Sequence, residues 1–138
     1  EKANQLIHDL GIEYKVKNLG KINDFQNVLC SSDLFLLPSE KESFGLAALE
    51  AMAASVPVIS SNAGGIPEVN IDGVTGFVLP IGDVEGMADK AIQFLKNPKM
   101  LEEFKINAKK QAIKFDEKNI IPMYEELYQS VLEKSKQL

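Results

Sequence analysis

The chain has 138 residues, 45% of them hydrophobic and 25% charged, with a formal net charge of −5. That length suits one domain with a proper core. The acidic balance excludes a broad surface for nucleic acid or anionic membrane. All 15 basic residues are lysines, so arginine, the usual bidentate clamp for phosphate, is absent. One cysteine, Cys30, cannot form an internal disulfide. No stretch approaches the roughly 20 apolar residues that span a bilayer. No signal-peptide pattern opens the chain. A soluble, cytoplasmic domain is the expectation.

In chain order, Ala3, Leu6, Ile7 and Leu10 are spaced for one face of a helix that Gly11 ends. The opening is already helical in character, which predicts a chain that begins inside a longer protein. Residues 14–19, YKVKNL, alternate like a strand. Asn23 or Asp24 caps a short helix running through Leu29. The apolar run DLFLLP, residues 33–38, predicts a strand buried on both faces of a parallel sheet. A helix is predicted over residues 44–54 with Ser43 as its N-cap, then a strand at PVISS, residues 57–61. GGIPEV reads as a loop with one helical turn, and DGVTGFVLP as a turn and strand.

Three helices follow. Asp83 caps the first, with the stripe Val84, Met87, Ala88, Ala91 and Leu95. Pro98 sits in the first turn of the second, which carries Leu101, Phe104, Ala108, Ala112 and Phe115. The third starts near Pro122 and carries Tyr124, Leu127, Tyr128, Val131 and Leu132. Alternating strands and helices imply right-handed βαβ units in a Rossmann-like parallel sheet, four strands here, with extra C-terminal helices. Such sheets take ligands at the C-terminal ends of their strands.

SEKESFGLAALEAMAASVP, residues 39–57, occupies that position. Gly45 early in a helix costs about 1 kcal/mol against alanine. Either it lets a ligand approach bare backbone, where amides and helix dipole suit phosphate, or it serves helix–strand packing. Glu50 stands about 40° around the helix from Leu46, at the margin of an expected core stripe of Leu46, Leu49 and Ala53. A carboxylate buried there needs a partner. A ribose diol would supply two donors, and an internal lysine or backbone amide is the alternative. Glu42, in the loop ahead of the helix, is eight residues from Glu50. That spacing suits a long ligand with a sugar at one end, a nucleoside at the other and a diphosphate between.

ESFGLAALE carries the E-x7-E pattern of the retaining family 4 glycosyltransferases of GT-B fold, and residues 32–92 resemble that family's nucleotide-sugar-binding domain. Strand, glutamate pair, GGIPE and DGVTG occur in the family's order. Within it, SEKESFGL is most similar to the N-acetylglucosaminyl-malate synthases of bacillithiol biosynthesis. The resemblance implies the truncated C-terminal half of a GT-B fold, a single donor-binding domain over residues 1–138, with the acceptor held by an N-terminal domain absent from this chain. It assigns Glu42, the catalytic candidate, to the donor sugar's hydroxyls and Glu50 to the ribose. Ser43, Phe44, Gly45 and Leu46 would offer amides along sugar and diphosphate, and Gly20 and Lys21 would lie near the base. A UDP-sugar is the implied donor, UDP-N-acetylglucosamine with malate as acceptor on the narrower likeness. The donor is a substrate; no cofactor and no metal are expected. In the family an arginine and a lysine stabilise the departing diphosphate, whose own oxygen takes the acceptor's proton. With no arginine, this chain is expected to be inactive alone.

Two rival readings exist. A flavodoxin-like receiver or partner-binding module would want acidic residues at strand ends, and Asp33 begins its strand instead. A GT-B sugar-nucleotide epimerase shares fold and ligand. Gly64, Gly65 and Glu68 read as mainly structural, since NAGGIPEV has neither standard nucleotide-loop spacing. One histidine, His8, and one cysteine cannot build a metal site. Cys30 reads as a small core residue, and Lys105, Lys109, Lys110 and Lys114 as a solvated helix face. The last helix is a surface for the other domain or for self-association, or else packs on the preceding helices.

Overall fold

The computed structural model describes residues 2–135; Glu1, where the helical opening was read to begin, lies outside them. Helix α1 (Lys2–Asp9) is followed by a single 3-10 turn (Glu13–Lys15), then α2 (Phe25–Cys30), β1 (Phe35–Leu37), α3 (Leu46–Ala53) and β2 (Val58–Ser61). The chain continues with α4 (Ile66–Val69), β3 (Gly76–Leu79), α5 (Val84–Lys96), α6 (Pro98–Ile113) and α7 (Glu117–Ser135). The sheet is parallel in the order β1-β2-β3, with Leu37 opposite Ser60 and Ser61 opposite Leu79.

Burial follows from this order. Central β2 is buried along its whole length, as expected of a parallel strand covered on both faces. Val58 packs with Ala48, Ala51 and Met52 of α3 and Ala108 and Ala112 of α6. Ile59 points the other way, to Met87 and Phe94 of α5 and Phe104 of α6. Helix α6 therefore serves both cores. Phe77, Phe94 and Phe104 form an aromatic cluster with centroids 4.9 to 5.6 Å apart. Asp83 caps α5 by accepting from the Gly86 amide at 2.9 Å, and Asn97 caps α6 by accepting from Met100 at 3.1 Å.

Several expectations are corrected. Residues 14–19 make no strand, and the described sheet has three strands. Tyr14 is 81% exposed in the 3-10 turn, and alternation without a neighbouring strand to pair with leaves residues 16–19 as irregular chain. The strand expected to be buried on both faces, β1, is a sheet edge, and its Leu36 is exposed. The buried residues of α3 are Ala48, Ala51 and Met52; Leu46 and Ala53 of the expected stripe are exposed. On α5, Val84, Ala88 and Leu95 face out and Phe94, absent from the expected stripe, is fully buried. Helix α7 starts at Glu117 and carries Pro122 in its interior. Cys30 is exposed rather than a core residue. The lysine face of α6 is partly engaged: Lys105 pairs with Asp33 at 3.3 Å, and the Lys109 ammonium donates to the Ala53 carbonyl.

Candidate functional site

The C-terminal ends of the three strands open into residues 38–45, 62–65 and 80–83, which lead into α3, α4 and α5. The first of these loops carries the glutamate motif. The expected N-cap at Ser43 is replaced by Gly45, which takes φ 96° and ψ 39°. Only glycine enters this left-handed region without penalty. Its carbonyl accepts the first helical bond from Leu49 at 3.0 Å. So Gly45 stands outside the first turn, and its presence costs the helix nothing.

No side chain caps α3. The Ser43 amide is taken by the Glu42 carboxylate at 3.1 Å. Among the described residues no protein group accepts from the amides of Phe44, Gly45 or Leu46. These unmatched donors sit at the positive end of a helix dipole, an arrangement suited to an anion. Phe44 is half-buried, edge-on to Phe115 with centroids 5.8 Å apart, and it anchors the loop to the end of α6. Leu46 is 63% exposed beside it.

Glu50 is exposed, not buried at a core margin. The register of α3 explains this: the small residues Ala48 and Ala51 with Met52 take the core, which turns Glu50 outward. Its carboxylate makes no hydrogen bond or ion pair among the described residues. It borders a cleft of about 250 Å³ with Phe25, Gln26, Leu29, Cys30, Ala53 and Ala54, so its carboxylate stands free at the rim of a partly apolar hollow between α2 and α3. A larger groove of about 700 Å³ runs between Phe44, Leu46 and Leu49 and the apolar face of α7.

The structure thus brings Glu42, Ser43, Phe44, Gly45, Leu46 and Glu50 onto one loop–helix unit at the sheet's C-terminal edge. Gly20 and Lys21 lie in an exposed turn where Asn18 accepts from the Gly20 amide at 2.9 Å. No hydrogen bond or ion pair joins that turn to residues 42–50 among the described residues. Sequence reasoning missed Ser61, whose buried hydroxyl donates to the Ser39 carbonyl at the loop's start. No group of three or more His, Cys, Asp or Glu that could hold a metal ion occurs among the described residues. No described helix is long and apolar enough to cross a membrane.

A parallel sheet with an open helix N-terminus at its C-terminal edge is a Rossmann-like arrangement, whose ligands bind at that edge. The chain belongs to the family described as glycosyl transferases group 1, whose model matches residues 1–111. It is 44% identical over 133 residues to an N-acetyl-alpha-D-glucosaminyl L-malate synthase from Bacillus anthracis, covering 96% of this chain and 35% of that protein. It is 38% identical over 100 residues to a 2-deoxystreptamine N-acetyl-D-glucosaminyltransferase from Niallia circulans, covering 72% and 26%. The crystal structure of Anabaena HepE in complex with UDP superposes with a TM-score of 0.88 at 30% identity, covering 94% of this chain and 36% of that one. The α/β arrangement is that of GT-B glycosyltransferases, and the chain spans about a third of the length of the relatives it matches.

Proposed function

We propose that this chain is the donor-binding domain of a retaining glycosyltransferase and that its donor is a UDP-sugar. The observation that carries the reading is the pair Glu42 and Glu50 on either side of an α3 N-terminus whose amides have no protein acceptor. The diphosphate lies on the amides of Phe44, Gly45 and Leu46, where unmatched donors and helix dipole offset its charge. Glu42 accepts from hydroxyls of the sugar. Glu50, free of any protein partner, accepts from the two ribose hydroxyls. An exposed carboxylate serves this role as well as a buried one, because the ligand itself shields the hydrogen bonds when it docks. Relatives named for glycosyl transfer favour transfer over epimerisation. The narrower reading, with UDP-N-acetylglucosamine as donor and malate as acceptor, rests on the Bacillus anthracis relative's name.

The acceptor site and the positive charge for the leaving diphosphate belong, on this reading, to the other two thirds of the protein. The apolar face of α7, where Tyr124, Leu127, Tyr128 and Leu132 are more than half exposed, packs there. Gly20 and Lys21 remain candidates for the base.

Amide chemical-shift mapping on addition of UDP, UDP-N-acetylglucosamine and ATP tests the donor reading. Shifts at residues 42–50 with both uridine ligands and not with ATP are expected. Equal shifts with ATP, or none with any ligand at millimolar concentration, would sink it.

A further inference from the structure

The loop that carries Glu42 is held by one segment, residues 61–66, at three successive points. At the loop's start, the Ser61 hydroxyl donates to the Ser39 carbonyl, with Ser61 fully buried at the C-terminal end of β2. In the middle, the Gly65 amide donates to the Ser43 carbonyl at 3.2 Å. At the end, Ile66 lies under Gly45, where an added Cβ would meet its Cγ1 at 3.3 Å.

The two glycines make this approach possible. Gly64 has φ +52°, and a Cβ on it would overlap the carbonyl oxygen of Glu42. Gly65 has an ordinary negative φ, −82°, so its identity is not a matter of backbone conformation. A Cβ there would stand 2.7 Å from the Ser43 oxygen and 3.1 Å from the Phe44 Cα. Backbone therefore lies on backbone, with no flexible side chain between to absorb a shift. A displacement of residues 61–66 therefore bears directly on Glu42, Ser43 and Phe44. Glu50, on the body of α3, is not among the residues that this segment's hydrogen bonds or glycines touch.

We propose that Ser61 and Gly65 are positioning residues that set where Glu42 stands, and so decide how the site tells a UDP-sugar from UDP alone. The proposal rests on the donor reading above. Glu42 meets the sugar, which UDP lacks, while Glu50 and the helix amides meet the parts both ligands share. Loosening the Ser61–Gly65 support weakens recognition of the sugar more than that of the nucleotide, which Glu50 also holds.

Two variants of the 138-residue chain test this. Gly65→Ala pushes on the loop, and Ser61→Ala, a milder change, releases its start and carries the test should the first variant not fold. The {1H}–15N heteronuclear NOE of residues 40–45 and the dissociation constants for UDP and UDP-N-acetylglucosamine are measured in each. The expected result is a fall in the NOE confined to 40–45. The ratio of the two dissociation constants should change threefold or more. A loop as ordered as in the unaltered chain, or equal losses for both ligands, overturns the positioning role. If the unaltered chain binds neither ligand, the donor reading falls and takes the sugar discrimination with it. UDP bound with an unchanged ratio overturns this proposal alone.

Discussion

The Nδ2 of Asn70, at the end of α4, donates to the Oγ of Ser60 in β2 at 2.9 Å, and both residues are fully buried. The same amide reaches the Val58 carbonyl at 3.1 Å, while its Oδ1 accepts from Thr75 at 2.9 Å. Thr75 in turn accepts from the Ile71 amide at 2.7 Å. Every buried side-chain nitrogen and oxygen among the described residues has a partner. One side chain thus fastens the end of α4 and the turn before β3 to the central strand.

Asn70→Ala leaves the Thr75 hydroxyl without its main acceptor and opens a small void. A loss of about 2–3 kcal/mol is expected, since an unpaired buried polar group costs about 1–3 kcal/mol and the cavity adds to it. Urea denaturation followed by circular dichroism measures it. A loss below about 0.5 kcal/mol, the range of an ordinary surface change, would show that the network contributes nothing net.

The aromatic cluster makes a sharper prediction. Phe94 is fully buried, with its ring centroid 4.9 Å from that of Phe104 and 5.2 Å from that of Phe77. Phe94→Ala is expected to cost about 3–5 kcal/mol. A single domain has only about 5–15 kcal/mol of stability. A thermal melt of Phe94→Ala should therefore show a greatly lowered midpoint or no cooperative transition. Phe94→Leu should keep most of the midpoint, because most of the volume is retained.

Gly45 permits a test of the N-terminus of α3. Its φ of 96° penalises any side chain by about 1–2 kcal/mol, and the 3.3 Å approach to Ile66 adds to this. Gly45→Ala should lower stability by at least that amount. Gly73→Ala, also at positive φ but with nothing within 4 Å of the added Cβ, separates conformational strain from crowding. Equal losses in the two variants would mean that the contact with Ile66 is without effect.

The sequence was legible where local chemistry decided the outcome. Asp83 announces its helix because a cap is a short-range hydrogen bond, Pro98 marks the first turn of the next, and PVISS reads as a strand from its composition. Phe104, Ala108 and Ala112 fall on the buried face their spacing implies. What was not legible depended on neighbours. Residues 14–19 alternate correctly, yet alternation only offers a face, and a strand also needs a partner. On α3 the apolar residues surround the helix, so periodicity could not say which of them face the sheet. The answer put Ala48 and Ala51 inside and Glu50 outside. Glu42 and Glu50 are candidates by pattern. Ser61, whose role is a contact 22 residues away in sequence, left no local signal.

Glu50 itself gives the test that separates binding from folding. It is exposed, and its carboxylate has no hydrogen bond or ion pair to the protein among the described residues. Glu50→Gln is therefore expected to change stability by less than about 0.5 kcal/mol, as surface substitutions do. A hydrogen bond to a charged group is worth about 1.5–3 kcal/mol. Replacing the carboxylate by an amide keeps the shape and one acceptor but removes the charge, so UDP affinity should fall by about tenfold or more. Isothermal titration with UDP measures the affinity, and a denaturation curve on the same sample measures the stability. A variant that keeps both would remove Glu50 from the ribose site. Loss of both together would show that the carboxylate supports the fold, in contradiction to its exposed position on α3.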